Sequence, residues 1–285
     1  MRILFLGVAA VALSGCSWLG LGNNNQLPSY QNYGGQYAGQ QAYRVNQSVN
    51  QSGCTSGNCL ARWNLEGAVG PSFTVNGDAI DGDLVSPASG ANIRNISMSE
   101  AFETGYRAEL GGSYAVTPNQ KLIGNVFLEE ADSEGTLDLG TIGGQELRGG
   151  LSDYRTYGAE LGVRQYFRPF RAPVVNSVRP YIQGRVGLAR VESIDLENTT
   201  LGGAAFSGGD IPLYDSDWVG SASGTIGIET PLTRFSTIAL ETGLRYVQSP
   251  NGDNSVLSPP NPLAGINQSG SRTSIPIMLR GRYRF

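Results

Sequence analysis

The residues best placed to do chemistry in this 285-residue chain are Glu and Arg in a recurring pattern. Glu160 precedes Arg164 by four positions in ELGVRQY, and Glu241 precedes Arg245 in ETGLRY. Arg280, Arg282 and Arg284 alternate with other residues at the end of the sequence. Charges of both signs at such spacing can neutralise one another, line a narrow ion path, or serve as acid and base. The sequence has no His, so it lacks the side chain that titrates near neutral pH without a large shift. Serines are plentiful, but no imidazole is there to activate one. A carboxylate dyad among loop Asp and Glu is the remaining enzymatic route, and solvated loop acids account for them better. No catalytic residue, metal site or cofactor is therefore assigned. The net charge is −4, all basic residues but Lys121 are Arg, and no basic run occurs, so nucleic acid is not an expected partner.

The elements that carry these residues read as strands. Eight segments alternate apolar and polar residues: 61–71, 103–116, 120–130, 153–167, 178–191, 217–230, 237–247 and 272–285. Each has roughly ten to fifteen residues, longer than soluble strands and as long as tilted membrane strands need. No amphipathic helix interrupts the series, and 40% apolar residues is too polar for a helical membrane protein. The expectation is an all-β protein, an eight-stranded antiparallel transmembrane barrel over 61–285, closed because backbone groups cannot stay unpaired in lipid.

The phase of the alternation turns Glu66, Glu109, Glu160, Arg164, Arg185, Glu229, Glu241, Arg245, Arg280 and Arg282 inward, with Arg62, Arg107 and Arg284. An eight-stranded lumen is just wide enough for side chains to fill, so these charges are expected to pair and plug it, with a narrow gated path as the alternative. Trp63, Tyr114, Phe167, Tyr283 and Phe285 are expected at one rim, and Tyr106, Tyr157, Trp218 and Tyr246 at the other. Connections alternate between short (117–119, 168–177, 231–236) and long (72–102, 131–152, 192–216, 248–271). Asp132, Glu134, Asp138, Glu146, Asp195, Glu197, Asp210 and Asp215 in the long ones read as solvated surface, or as a bridge through divalent cations to lipopolysaccharide phosphates. The fourth long connection is rich in Pro and Asn and is expected to be irregular.

Residues 1–15 have a charged Arg2, an apolar run and then Leu13-Ser14-Gly15-Cys16. This resembles the signal peptide and lipobox of bacterial lipoproteins. The resemblance implies cleavage before Cys16, a lipid on its sulfur, lipoprotein-sorting machinery as a partner and, with Ser17 following, the outer membrane. Residues 16–60 then form a flexible linker rich in Asn, Gln, Gly and Tyr. Cys54 and Cys59 near its end are expected to form a local disulfide in an oxidising compartment; half of a metal site would need further ligands. A lipid anchor puts the first strand's start in the periplasm and the long loops outside the cell.

The ending Arg280-Gly281-Arg282-Tyr283-Arg284-Phe285, with the strand pattern, resembles the OmpA/OmpX-type family of eight-stranded outer-membrane barrels, opacity-type surface proteins included. In that family Tyr283 and Phe285 correspond to the signal read by the barrel-assembly machinery. The resemblance implies a monomer among outer-membrane lipid and lipopolysaccharide. The expected function is non-enzymatic, structural or by loop display. A small low-conductance channel and a lipid-modifying enzyme are the alternatives.

Overall fold

The computed structural model describes residues 62–85, 90–172, 177–206, 209–255, 257 and 261–284. Cys16, Cys54, Cys59, Phe285, the signal segment and the linker lie outside the described residues.

Eight long strands carry the alternation: β1 (Trp63–Asn76), β5 (Gly105–Thr117), β6 (Gln120–Ala131), β9 (Tyr154–Tyr166), β10 (Arg179–Val191), β14 (Asp217–Pro231), β15 (Ser236–Val247) and β16 (Arg272–Arg284). They close into a barrel in the ring order β1-β16-β15-β14-β10-β9-β6-β5, with every neighbouring pair antiparallel. Leu65, Val69, Leu110, Val126, Leu161, Ile226, Leu244 and Leu279 face outward and exposed, while the alternate positions are buried. That inversion, apolar outside and charged inside, is what a lipid surround selects.

β1 is longer than its alternation predicts, running through Pro71 to Asn76. Pro71 still pairs with Tyr106 on β5, while the ladder to β16 passes from Val69↔Leu279 to Ser72↔Pro276. A proline has no N–H to give the ladder, so pairing lapses on one side only and the strand continues.

The long connections are not merely solvated loops. They form β2 (Asp78–Ile80), β3 (Ala91–Ile93), β4 (Ile96–Ser97), α1 (Met98–Ala101), β7 (Leu137–Ile142), β8 (Gln145–Leu151), β11 (Ile194–Leu201), β12 (Ala204–Ala205) and β13 (Ile211–Tyr214). A second sheet runs β12-β11-β8-β7-β3, with β13 also on β11, and β2 pairs with β4. Ala91↔Ile142 joins the first connection to the second, and Leu196↔Leu151 joins the second to the third. The β7–β8 hairpin turns at Gly143 and Gly144, with φ of 59° and 79°. Two left-handed residues in succession give the turn that matches strand twist, and glycine adopts it without strain.

The fourth connection has no strand among its described residues, yet it is fixed. The Asn267 amide donates to the carbonyls of Leu213 and Asp253, and Leu263 and Ile266 are buried. Together the four connections make a cap over one end of the barrel. Its apolar core includes Ile80, Ile96, Met98, Leu139, Leu147, Leu196 and Leu213, each at most 1% exposed. The same cluster takes in Phe127, Ala131, Tyr154, Ala189, Val191, Val219 and Val247 from the barrel strands. Barrel and cap thus share one hydrophobic core. Full burial of each large apolar side chain contributes roughly 1.5–3 kcal/mol, which is what holds the connections in place.

Candidate functional site

The site is the lumen, and period 2 builds it. Each strand delivers every second residue inward, so β1 offers Glu66 and Ser72, β5 Arg107 and Glu109, and β9 Glu160 and Arg164. β6 adds Glu129, β10 Arg185, β14 Glu229, β15 Glu241 and Arg245, and β16 Arg272, Arg280 and Arg282. Among the described residues this gathers seven guanidinium groups and six carboxylates.

The pairs run across the barrel. Arg164 donates to both oxygens of Glu66, at 2.8 and 2.9 Å, and to Gln183. Glu109 accepts from Arg107 at 2.7 Å, Arg185 at 2.8 Å and Arg280 at 2.5 Å. Glu160 lies 3.2 Å from Arg245, 3.3 Å from Arg107 and 3.5 Å from Arg185. Glu241 accepts from Arg280, Arg282, Gln183 and the Tyr181 hydroxyl. Glu229 pairs with Arg282 and accepts from the Tyr166 hydroxyl at 2.9 Å. The Glu160–Arg164 and Glu241–Arg245 repeats are therefore not partners. Four residues along a strand span about 13 Å, so Arg164 and Arg245 find their carboxylates on other strands.

Towards the cap the plug changes character. Phe127 points inward and lies between Arg107 and Arg245, whose guanidinium carbons are 4.1 and 4.3 Å from its ring. Arg272 lies 4.3 Å from the Tyr154 ring. These stacked contacts join the charged layer to the apolar layer above it. Lower in the barrel Tyr181 lies across Gly227, where a Cβ would come within 2.4 Å of its Cζ. The void lined by Glu66, Asn125, Arg164, Arg185 and Arg280 is about 10 Å³, the size of one water.

Glu66, Glu109, Glu160, Arg164, Arg185, Glu241, Arg245, Arg280 and Arg282 are buried in this network, and Glu229 is half-buried at its lower edge. Arg62 is half-buried at the same end and donates to the Tyr114 hydroxyl. Arg284 departs from the expectation. It keeps the inward phase but stands beyond the last layer of partners and is exposed. The network also contains Glu129, Arg272, Ser72 and Tyr181, which the sequence reading does not single out. Gly124 and Asn125 blur the phase of β6, yet counting outward from Leu122, Val126 and Leu128 puts Glu129 inside. Counting back by twos from Arg280 finds Arg272 in the same way.

Trp63 and Tyr114 meet at one rim with centroids 5.0 Å apart, and Phe167 and Tyr283 stand exposed beside them. Tyr157 and Trp218 meet edge-on at the cap-side rim, 6.4 Å apart, with Tyr106 exposed and Tyr246 half-buried. Outward aromatics at both strand ends bound an apolar band, as at a bilayer's two interfaces. The chain is a closed eight-stranded barrel of the outer-membrane type.

No family model matches the chain, and no curated protein matches it. Among solved structures it is similar to Neisserial surface protein A, at 11% identity over 78% of this chain and 96% of that one, with a TM-score of 0.39. It is similar to Ail, the attachment invasion locus protein of Yersinia pestis, at 13% identity over 78% and 98%, with a TM-score of 0.37. The outer membrane protein OprG from Pseudomonas aeruginosa is similar at 12% identity over 78% and 95%, with a TM-score of 0.31.

Proposed function

We propose that this protein is a non-enzymatic surface barrel of the bacterial outer membrane whose working part is the cap. In this reading Cys16 carries a lipid, the chain enters from the periplasm, and the cap stands outside the cell. The observation that carries it is the double closure of the lumen. Charged side chains fill the barrel, and an apolar layer continuous with the cap core lies above them. Among the described residues the void between the charged side chains of the lumen is about 10 Å³, which argues against a continuous water path for conduction. The same core makes the cap an ordered platform, which suits display and contact.

Three measurements test the reading. Purified protein in planar bilayers should give no discrete current steps, and regular steps would replace this proposal with a channel. In intact cells, a membrane-impermeant thiol reagent should label Gln145→Cys at the start of β8, beside the β7–β8 turn, and spare Arg234→Cys in the short turn between β14 and β15. Palmitate labelling should disappear in Cys16→Ser. The reverse thiol pattern would put the cap in the periplasm and sink the display role.

A further inference from the structure

The end of the barrel away from the cap carries a charge pattern that the display role does not use. The four long connections, 77–104, 132–153, 192–216 and 248–271, hold sixteen acidic residues and two arginines. The three short turns, 118–119, 167–178 and 232–235, hold Arg168, Arg171 and Arg234 and no acidic residue. The two ends of the barrel therefore have opposite charge.

The short-turn arginines form a ring with the strand ends beside them. Arg179 donates to the Pro118 carbonyl at 2.8 Å and to Asn119 Oδ1 at 2.9 Å, tying the β5–β6 turn to β10. The Arg284 amide donates to the Phe235 carbonyl at 2.8 Å, tying the end of β16 to the β14–β15 turn. Arg168, Arg171 and Arg234 are exposed and make no ion pair among the described residues. The same turns expose Phe170, Leu232 and Phe235 beyond the strand ends, at 52%, 64% and 45%. The Arg234 guanidinium lies 4.6 Å from the Phe235 ring. A soluble polyanion would use the charges and leave those apolar tips in water. A bilayer interface uses both, with apolar tips in the acyl boundary and guanidinium groups among the phosphates.

We propose that this end of the barrel is a binding ring for anionic phospholipid headgroups. The arginines take the phosphates, and Phe170, Leu232 and Phe235 enter the adjoining acyl boundary. The inference rests on reading the molecule as a membrane barrel. It predicts that lipid around this rim is enriched in anionic species, each arginine near an anionic surface contributing on the order of fivefold in affinity.

Trp63 reports on this rim and Trp218 on the other. The full chain, refolded into phosphatidylcholine vesicles, is prepared with either Trp63 or Trp218 as its sole tryptophan, the remaining two changed to Phe. Quenching by dibrominated phosphatidylglycerol is compared with quenching by dibrominated phosphatidylcholine. Trp63 should prefer the anionic lipid by about fivefold or more, and Trp218 should show no such preference. The preference should vanish in Arg168→Gln/Arg171→Gln/Arg234→Gln, whose changes lie outside the core and leave heat-modifiable gel migration intact. Equal quenching at Trp63, equal preference at both rims, or a preference that survives the triple change each overturn the proposal. So does arginine-dependent sedimentation with purified peptidoglycan in the absence of any lipid preference, which would assign the ring to the cell wall. The function proposed above depends on conductance and surface labelling, so these failures leave it standing.

Discussion

Glu129 sits where three guanidinium groups meet, with Arg107, Arg245 and Arg272 at 3.2, 3.3 and 3.4 Å and the Ser72 hydroxyl donating at 3.0 Å. Arg272, in contrast, has Glu129 as its carboxylate and leans otherwise on Thr74 and the Tyr154 ring. The interior has one more arginine than glutamate, so the two partners are not equivalent. Glu129→Gln leaves three buried cations facing a neutral amide, and loss of one partner in a buried network costs about 3–5 kcal/mol. Arg272→Gln removes the surplus positive charge, and Glu129 keeps Arg107 and Arg245. It should cost clearly less. Urea unfolding in lipid vesicles, followed by tryptophan emission, gives both values. Equal costs, or the opposite order, would show that charge surplus does not govern this interior.

At the scale of elements, the cap should be separable from the barrel in stability while sharing its core. Leu196 on β11 is fully buried in the apolar core that cap and barrel share. Leu196→Ala should cost roughly 2–5 kcal/mol of cap stability, seen as protease cleavage in the connections while heat-modifiable barrel migration persists. A cap that stays resistant would mean that the connections are held by something other than this core. Asp195 on the same strand is raised from its ordinary value, first by burial and then by the carboxylates of Asp210 and Asp253. A carboxyl raised in the folded state contributes stability that is full below its unfolded pKa and lost as pH rises through the folded value. The cap should therefore resist urea better near about pH 4 than near about pH 7. A fluorophore on Gln145→Cys can follow its opening, and Asp195→Asn should flatten that dependence. A cap that weakens on acidification would contradict the sign.

The same scale shows why some elements could be read from sequence and others could not. The eight barrel strands stand out because each keeps period 2 for a dozen residues against lipid, so one wrong phase would put charge in the bilayer. The cap strands follow the same rule in miniature, as in Leu137-Asp138-Leu139 and Ile194-Asp195-Leu196-Glu197, where the leucines and isoleucine are buried, Asp138 is exposed, and Asp195 and Glu197 are half-buried. Their runs are too short to separate from loop, and their partners lie on other connections, which only the closed barrel brings together. The acids were legible; the apolar residues between them were the stronger signal. In the lumen, phase predicts which side chains point inward but not their partners, because these are set by ring order and height. Arg164 with Glu66 is an instance, joining two strands 98 residues apart in sequence.

At the scale of the whole molecule, the lumen has two barriers in series. The lower is charged and side-chain filled, and the upper is apolar and shared with the cap. An ion crossing the first would still have to shed its hydration at Phe127, Val191, Val219 and Val247. The cap alone is therefore not a gate. Replacing 132–153 and 192–216 by short turns strips the cap side of the apolar core from above Phe127, Val191, Val219 and Val247, and leaves the interior that fills an eight-stranded barrel on its own. That variant should remain silent in planar bilayers. Current should appear only when the shortened chain also carries Arg107→Ala and Arg245→Ala, which free the space on both sides of Phe127. Discrete steps from the cap-shortened chain with its interior intact would show that the Glu–Arg layer conducts and that the cap is what stops it, so the function would lie in the lumen after all.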